Sequence, residues 1–271
     1  MTLKLGIFSW FGFVMPIFER LDLIKSAGFE ATSLWWEDEE GTPCIPKDAM
    51  PEMVREAGLY LENIHAPFTD SADLWSESKS ARQKILKEHT AWLEDCAKHE
   101  IPIMVMHIVE GDKIPTINKY GIESLSYLTK KAEEYNVKIA LENTKMTGGI
   151  PFILSEIESP NLGLCYDTSH AVLNHEENLL EDFGEKLIAL HISDNDGKRD
   201  RHWLPGGGTI NWNKFTEKFP AKTFHGGLTL EVYPTDEESK AGAEAFLLKA
   251  FKSISRLAAM IDYKREDIGV S

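Results

Sequence analysis

Short apolar runs alternate with segments of helical period from one end of the 271-residue chain to the other. The runs at 3–8, 31–36, 60–65, 101–107, 137–143, 162–167, 187–192 and 228–232 have the length of strands and are too short for ordinary helices. Between them the apolar spacing changes. Ile17, Leu21 and Ile24 stand at i, i+4 and i+7 and are stopped by Gly28, and Met50, Val54 and Ala57 precede Gly58 in the same way. A long helix is expected over 81–99, with Ile85, Trp92 and Cys96 on one face. Another is expected around Ile122, Leu125, Thr129 and Ala132, and a last one over 237–261. Strands joined through helices pair as parallel neighbours, and a parallel sheet needs helices on its faces. Eight such units, with no sequence repeat, linker or low-complexity tract, predict a single α/β domain spanning 1–271 and closed as a (β/α)8 TIM barrel.

The strand ends carry the chemistry. Glu142, Asp167, His191 and Glu231 each stand at the C-terminal end of a run, and in a parallel barrel all such ends converge on one face. Parity indicates where they point, because successive strand residues face opposite sides. Glu142 shares parity with Ala140 and Lys138, Asp167 with Cys165 and Gly163, His191 with Ala189, and Glu231 with Thr229 and Gly227. The large aliphatics, among them Leu141, Leu164, Leu190 and Leu230, take the other parity and belong against the helices. Any one of the four could be a helix cap or a loop ion pair. Four inward ligand types without a cation would each cost several kcal/mol of desolvation. Glu142, Asp167, His191 and Glu231 are therefore expected to hold one divalent ion. Three carboxylates and an imidazole suit Mn²⁺, Mg²⁺ or Co²⁺ at least as well as Zn²⁺.

A second group surrounds the first. Five of the nine histidines, His65, His107, His170, His191 and His202, lie at or just past strand ends. Asp200 and His202, two apart, share a side in an extended segment. His65, His107, His170, Asp200 and His202 thus form a shell that could orient the ligands, hold additional ions or contact substrate hydroxyls. Trp10, Trp35 or Trp36, Trp75 and Trp203 fall after strands, where an indole can stack on a bound molecule; Trp36 and Trp203 are the expected stacking pair.

Charge and cysteine usage narrow the partners. A formal net charge of −15 disfavours a polyanionic partner, so a small molecule is expected in place of nucleic acid. Cys44, Cys96 and Cys165 lie far apart without C-x-x-C spacing, which argues against a disulfide framework or a thiolate zinc site. No run approaches a membrane span, and the first strand starts too early to leave room for a signal peptide. A cytoplasmic location is expected; assembly into a homo-oligomer stays open.

His191-Ile-Ser-Asp-Asn-Asp-Gly, Asp200-Arg-His202 and Pro205-Gly-Gly-Gly-Thr-Ile-Asn-Trp212 follow the seventh run. Together with Ile64-His65-Ala-Pro-Phe68, Leu141-Glu142-Asn143, Asp167-Thr-Ser-His170 and Leu230-Glu231, they resemble the xylose isomerase-like TIM barrels of the sugar phosphate isomerase/epimerase family. The resemblance covers essentially the whole chain. It implies that Glu142, Asp167, His191 and Glu231 bind one divalent cation and that Glu142 and Glu231 double as acid/base groups. The substrate it implies is a sugar, a sugar phosphate or a related polyhydroxy carbonyl compound. The cation would stabilise the charge of an enediolate while the two glutamates move a proton, with a hydride shift as the competing route. No clear match to the catalytic lysine motif of true xylose isomerases is present; Lys145 is the nearest candidate.

The endonuclease IV family, which cleaves abasic-site DNA with three zinc ions, uses the same ligand types, so ligand counting leaves it as an alternative. The surroundings differ. That family has His-Pro-Gly where this chain has His107-Ile-Val-Glu110, and Asp-Thr-Cys-His where this chain has Asp167-Thr-Ser-His170. The mouth loops also offer few phosphate-neutralising cations beyond Lys198, Arg199 and Arg201. A sugar-binding protein without turnover is the third reading.

Overall fold

A computed structural model describes residues 3–41, 43–111 and 113–267. The strands are β1 (Leu5–Phe8), β2 (Ala31–Trp35), β3 (Tyr60–His65), β4 (Ile103–His107), β5 (Lys138–Glu142), β6 (Leu162–Asp167), β7 (Leu187–His191) and β8 (Leu228–Leu230). The helices between them are α1 (Ile17–Ser26), α2 (Met50–Glu56), α3 (Lys79–Lys98), α4 (Lys119–Tyr135), α5 (Gly149–Glu156), α6 (Thr168–Leu173), α7 (Leu179–Phe183) and α8 (Trp212–Lys218), followed by α9 (Asp236–Ala241) and α10 (Ala243–Asp267). Each strand pairs in parallel with its sequence neighbour from β1 to β7, and β1 also pairs with β8. An Ile192↔Leu230 bridge brings the remaining edges together. There Ile192 N donates to Thr229 O at 2.9 Å and Glu231 N to Ile192 O at 3.1 Å. The alternation of the sequence thus becomes a (β/α)8 barrel. Among the described residues, no helix is long and apolar enough to cross a membrane.

Local signals fix several boundaries. The Asn118 side chain caps α4 by accepting from Tyr120 N and Gly121 N at 2.9 and 3.1 Å, satisfying donors that a helix start leaves open. The expected continuous last helix is instead two. Gly242, at φ 91°, separates α9 from α10, a conformation that glycine adopts without strain. β8 is also shorter than its apolar run, so Glu231 lies just past the strand.

Two apolar layers follow the parity of the strands. Ile103, Val105, Ala140, Cys165 and Ala189 form a small cluster of their own. Leu141, Leu164, Leu190 and Leu230 join the main core with residues of the helices. The small inner side chains leave room within the barrel for the polar groups at its mouth. Away from the mouth, the register of β2 and β3 shifts at Thr32/Ser33, where Leu61 and Asn63 face consecutive residues and Glu62 is the extra one. The buried Glu62 carboxylate accepts from Gly227 N and from the Thr229 hydroxyl of β8. A methyl group at Gly227 would lie 3.0 Å from both carboxylate oxygens, so glycine is what permits the approach.

His89 faces inward from α3 with its Nδ1–H donating to Ile85 O at 3.0 Å, and burial pushes its pKa down to about 4. The unfolded chain takes up this proton near the ordinary value of 6.5 and the folded chain only near 4. Between those values the unfolded state holds more protons, so stability falls as pH drops through the window. Lowering the pH from about 7 to about 5 should remove about 2 kcal/mol through this one group. Urea unfolding midpoints should show that loss in the wild type and not in a His89→Gln variant.

Candidate metal centre

The barrel gathers the strand-end ligands into one cluster. Glu142 is the last residue of β5, in register with His107 of β4, and Asp167 ends β6 in register with His191 of β7. Glu142, Asp167, His191 and Glu231 each offer a donor atom, and these atoms all lie within 4.8 Å of one another. The first three are fully buried, while the Glu231 side chain keeps 14% exposure. His65, with Glu142 and His191, forms a second such grouping.

The polar atoms of this cluster fit a cation. Asp167 Oδ2 and both ring nitrogens of His191 are buried without a hydrogen-bond partner. His191 Nδ1 stands 3.1 Å from Glu142 Oε2 and 3.1 Å from Glu231 Oε2. Burial raises the Asp167 pKa to about 6, and the nearby Asp200, Glu142 and Glu231 carboxylates add to the rise against the pull of His170. Such crowding of acids around lone pairs is relieved by a positive charge among them. The rest of Asp167 is held by neighbours. Its Oδ1 accepts from His170 N at 2.7 Å as the cap of α6, and Asn143 brackets its backbone with bonds of 2.7 and 3.0 Å.

The surrounding shell converges on Glu142 and Asp200. His65 Nδ1 donates to Ala66 O, a carbonyl that only accepts, at 2.9 Å, and its Nε2 lies 3.1 Å from Glu142 Oε2. Burial lowers the His65 pKa despite the Glu142 carboxylate. His107 spans Glu110 Oε2, 3.1 Å from Nδ1, and Glu142 Oε2, 3.3 Å from Nε2. Burial opposes its charged form, but the two carboxylates outweigh burial and raise its pKa. His170 reaches Glu142 Oε1 at 3.2 Å and Asp200 Oδ2 at 3.1 Å. His202 donates from Nδ1 to Glu231 O at 3.0 Å and places Nε2 3.0 Å from Asp200 Oδ2. Its pKa rises to about 9, because Asp200 and Glu231 outweigh burial. Glu110, Asn143 and Ser169, which donates to Asp200 Oδ1 at 2.7 Å, complete the network. None of these three stands out as a ligand by sequence; what marks them is their place within three residues of a strand end.

Above the cluster opens a cavity of about 1020 Å³. Trp10, Trp35, Phe68, Lys145, Lys198 and Arg199 are among the residues that line it. The expected stacking pair, Trp36 and Trp203, is not on its wall. Trp36 is buried against α3, where its Nε1–H donates to Asp95 at 2.8 Å. Trp35, one residue earlier, takes the inward parity of Ala31 and Ser33 and stacks on His65 at 5.1 Å between ring centroids. Trp203 is held in a local antiparallel bridge with Asp194, with the Arg201 guanidinium 5.6 Å from its ring. Trp75 is likewise buried, donating to Ile108 O at 2.7 Å.

Buried carboxylates and imidazoles gather at the C-terminal ends of the strands, the face on which (β/α)8 barrel proteins build their sites. Residues 21–250 match the xylose isomerase-like TIM barrel family, and the chain belongs to it. Similar sequences include an uncharacterized protein of Sinorhizobium fredii, 28% identical over 250 residues that cover 78% of this chain and 79% of that one. They also include the inosose isomerase of Bacillus subtilis, 25% identical over 189 residues covering 63% and 68% of the two chains. Among solved structures, a D-tagatose 3-epimerase-like protein superposes with a TM-score of 0.74 at 22% identity, over 97% of this chain and 99% of that one.

Ion binding should be visible as stability. Mn²⁺ at about a hundred times its Kd should stabilise the chelator-treated protein by about 2.7 kcal/mol in thermal melts. Asp167→Asn and Glu142→Gln should each abolish the shift, and metal analysis should return one ion per chain. Three ions per chain would instead make His65, His107, His170, Asp200 and His202 ligands as well.

Proposed function

We propose that the chain is a divalent-metal-dependent isomerase or epimerase acting on a sugar, a sugar phosphate or a related polyhydroxy carbonyl compound. The observation that carries this reading is the convergence of Glu142, Asp167, His191 and Glu231 beneath an open cavity with both aromatic and polar walls. The inosose isomerase relative and the shared fold of the epimerase-like protein support it.

Glu142, Asp167, His191 and Glu231 would hold the ion, which would supply Lewis-acid polarisation of a substrate carbonyl. The chain's own residues would move the proton. Glu142 and Glu231 both approach His191 Nδ1 at 3.1 Å, so their carboxylates share one point of the mouth. One would take the proton from the carbon next to the carbonyl and the other would return one. Return to the opposite face of the same carbon gives epimerisation; return to the adjacent carbon gives isomerisation. His191 and His202 outweigh the effect of burial on Glu231 and hold its pKa at about 2, so its carboxylate is ionised. Trp35 and Trp10 would cover the apolar face of the sugar.

With metal and a panel of ketoses in deuterium oxide, label should enter at the carbon next to the carbonyl. Glu231→Gln should slow this exchange by about 10²–10⁴-fold. No exchange with any sugar, together with an unaltered Glu231→Gln variant, would sink the proposal. Nicking of an abasic-site oligonucleotide would move the assignment to the phosphodiesterase.

A further inference from the structure

Arg20 is a charged residue on the buried face of α1, among Ile17, Leu21 and Ile24, and it is only 1% exposed. A buried guanidinium is expensive unless its donors are used. Here the two terminal nitrogens tie two loops together, while Nε is buried without a partner. Nη1 donates to Met15 O at 2.8 Å, in the loop after β1, and Nη2 pairs with the Glu39 carboxylate in the loop after β2. Glu39 is itself fixed by a two-bond bridge to Ile45, with N···O distances of 2.9 and 3.1 Å. The guanidinium carbon also lies 5.2 Å from the Trp10 ring, a cation–π distance.

Both loops wall the cavity. Trp10, Val14 and Met15 come from the first and Glu37 to Glu40 from the second, and Arg20 itself borders the same space. None of these side chains belongs to the ligand cluster or its histidine shell. A three- or four-carbon ketose would be held by the strand-end groups alone, whereas a longer polyol chain or a second ring would reach Trp10.

We propose that Arg20 is a positioning residue for substrate length, clasping Met15 to Glu39 so that Trp10 and the Glu37–Glu40 segment form a fixed distal subsite for the end of an extended sugar. The inference rests on the isomerase or epimerase reading. A planar fork bonded to two loops and stacked on a ring is a role that lysine reproduces poorly. Glu39 should matter as much as Arg20, because it is the other half of the clasp.

The test is a chain-length series, run as deuterium exchange on the metal-loaded protein with dihydroxyacetone, a tetrulose, a hexulose and a hexulose glycoside. Arg20→Met, which keeps the packed stem, and Glu39→Gln, which keeps the shape, should each raise KM for the two longest substrates by about tenfold. They should leave KM for the two shortest, every kcat and the Mn²⁺ affinity within about twofold. Arg20→Lys should recover only part of the loss. Equal KM changes along the whole series, or no change in either clasp variant, would overturn the proposal. If the wild type neither labels nor interconverts any ketose, the isomerase or epimerase reading itself fails. Thermal melts identify a variant that has not folded, and Glu39→Gln, whose side chain is one-quarter exposed, then decides the outcome.

Discussion

The Glu142 carboxylate is almost fully buried, yet four imidazoles crowd it. His65, His107, His170 and His191 stand 3.1, 3.3, 3.2 and 3.1 Å from its oxygens. A lone carboxylate at that depth would cost several kcal/mol, so the surrounding groups are a condition of its being there. Their need for anchors organises the next layer. His65 is oriented by its own neighbour's carbonyl, His107 by Glu110, His170 by Asp200 and His202 by the Glu231 backbone. The pull on Glu142 is strong enough that its pKa falls well below the ordinary range despite burial. A single inward acid at the end of β5 thereby sets the positions of side chains from β3, β4 and β7 and from the start of α6.

Much of this was legible in the chain because a strand has a period of two. The small residues Ala140, Cys165 and Ala189 beneath Glu142, Asp167 and His191 mark the barrel interior, and they form its separate inner cluster. The same rule, applied to Ala31 and Ser33, selects Trp35 for the cavity and Trp36 for the helix layer. Trp203 was harder to place. Its position is set by the bridge to Asp194, a loop contact with no periodic signature. The division of the last helix at Gly242 had only one glycine to announce it.

Long-range polar partners were the least legible. Arg20 falls inside the apolar stripe of α1, and a charge on a buried face is a visible anomaly, but nothing in the sequence names Met15 and Glu39 as its partners. Glu62 poses the same problem across 165 residues, because its partner Gly227 is known only once β8 is seated. Apolar patterns constrain faces, whereas the pairing of individual donors and acceptors depends on the closed barrel. The chain carries a formal charge of −15, and it gathers part of that charge inside its mouth, where neighbouring imidazoles offset it.

The seating of β8 has a consequence for how the protein comes into being. This three-residue strand is the last to leave the ribosome, and it brings the Glu62 anchor points and, one residue on, Glu231. A nascent chain that ends before it can pair seven strands but leaves two open edges, on β1 and β7, both prone to wrong pairing. It also lacks one of the four clustered ligands. Closure of the sheet and completion of the four-residue cluster at its mouth therefore depend on the same short strand.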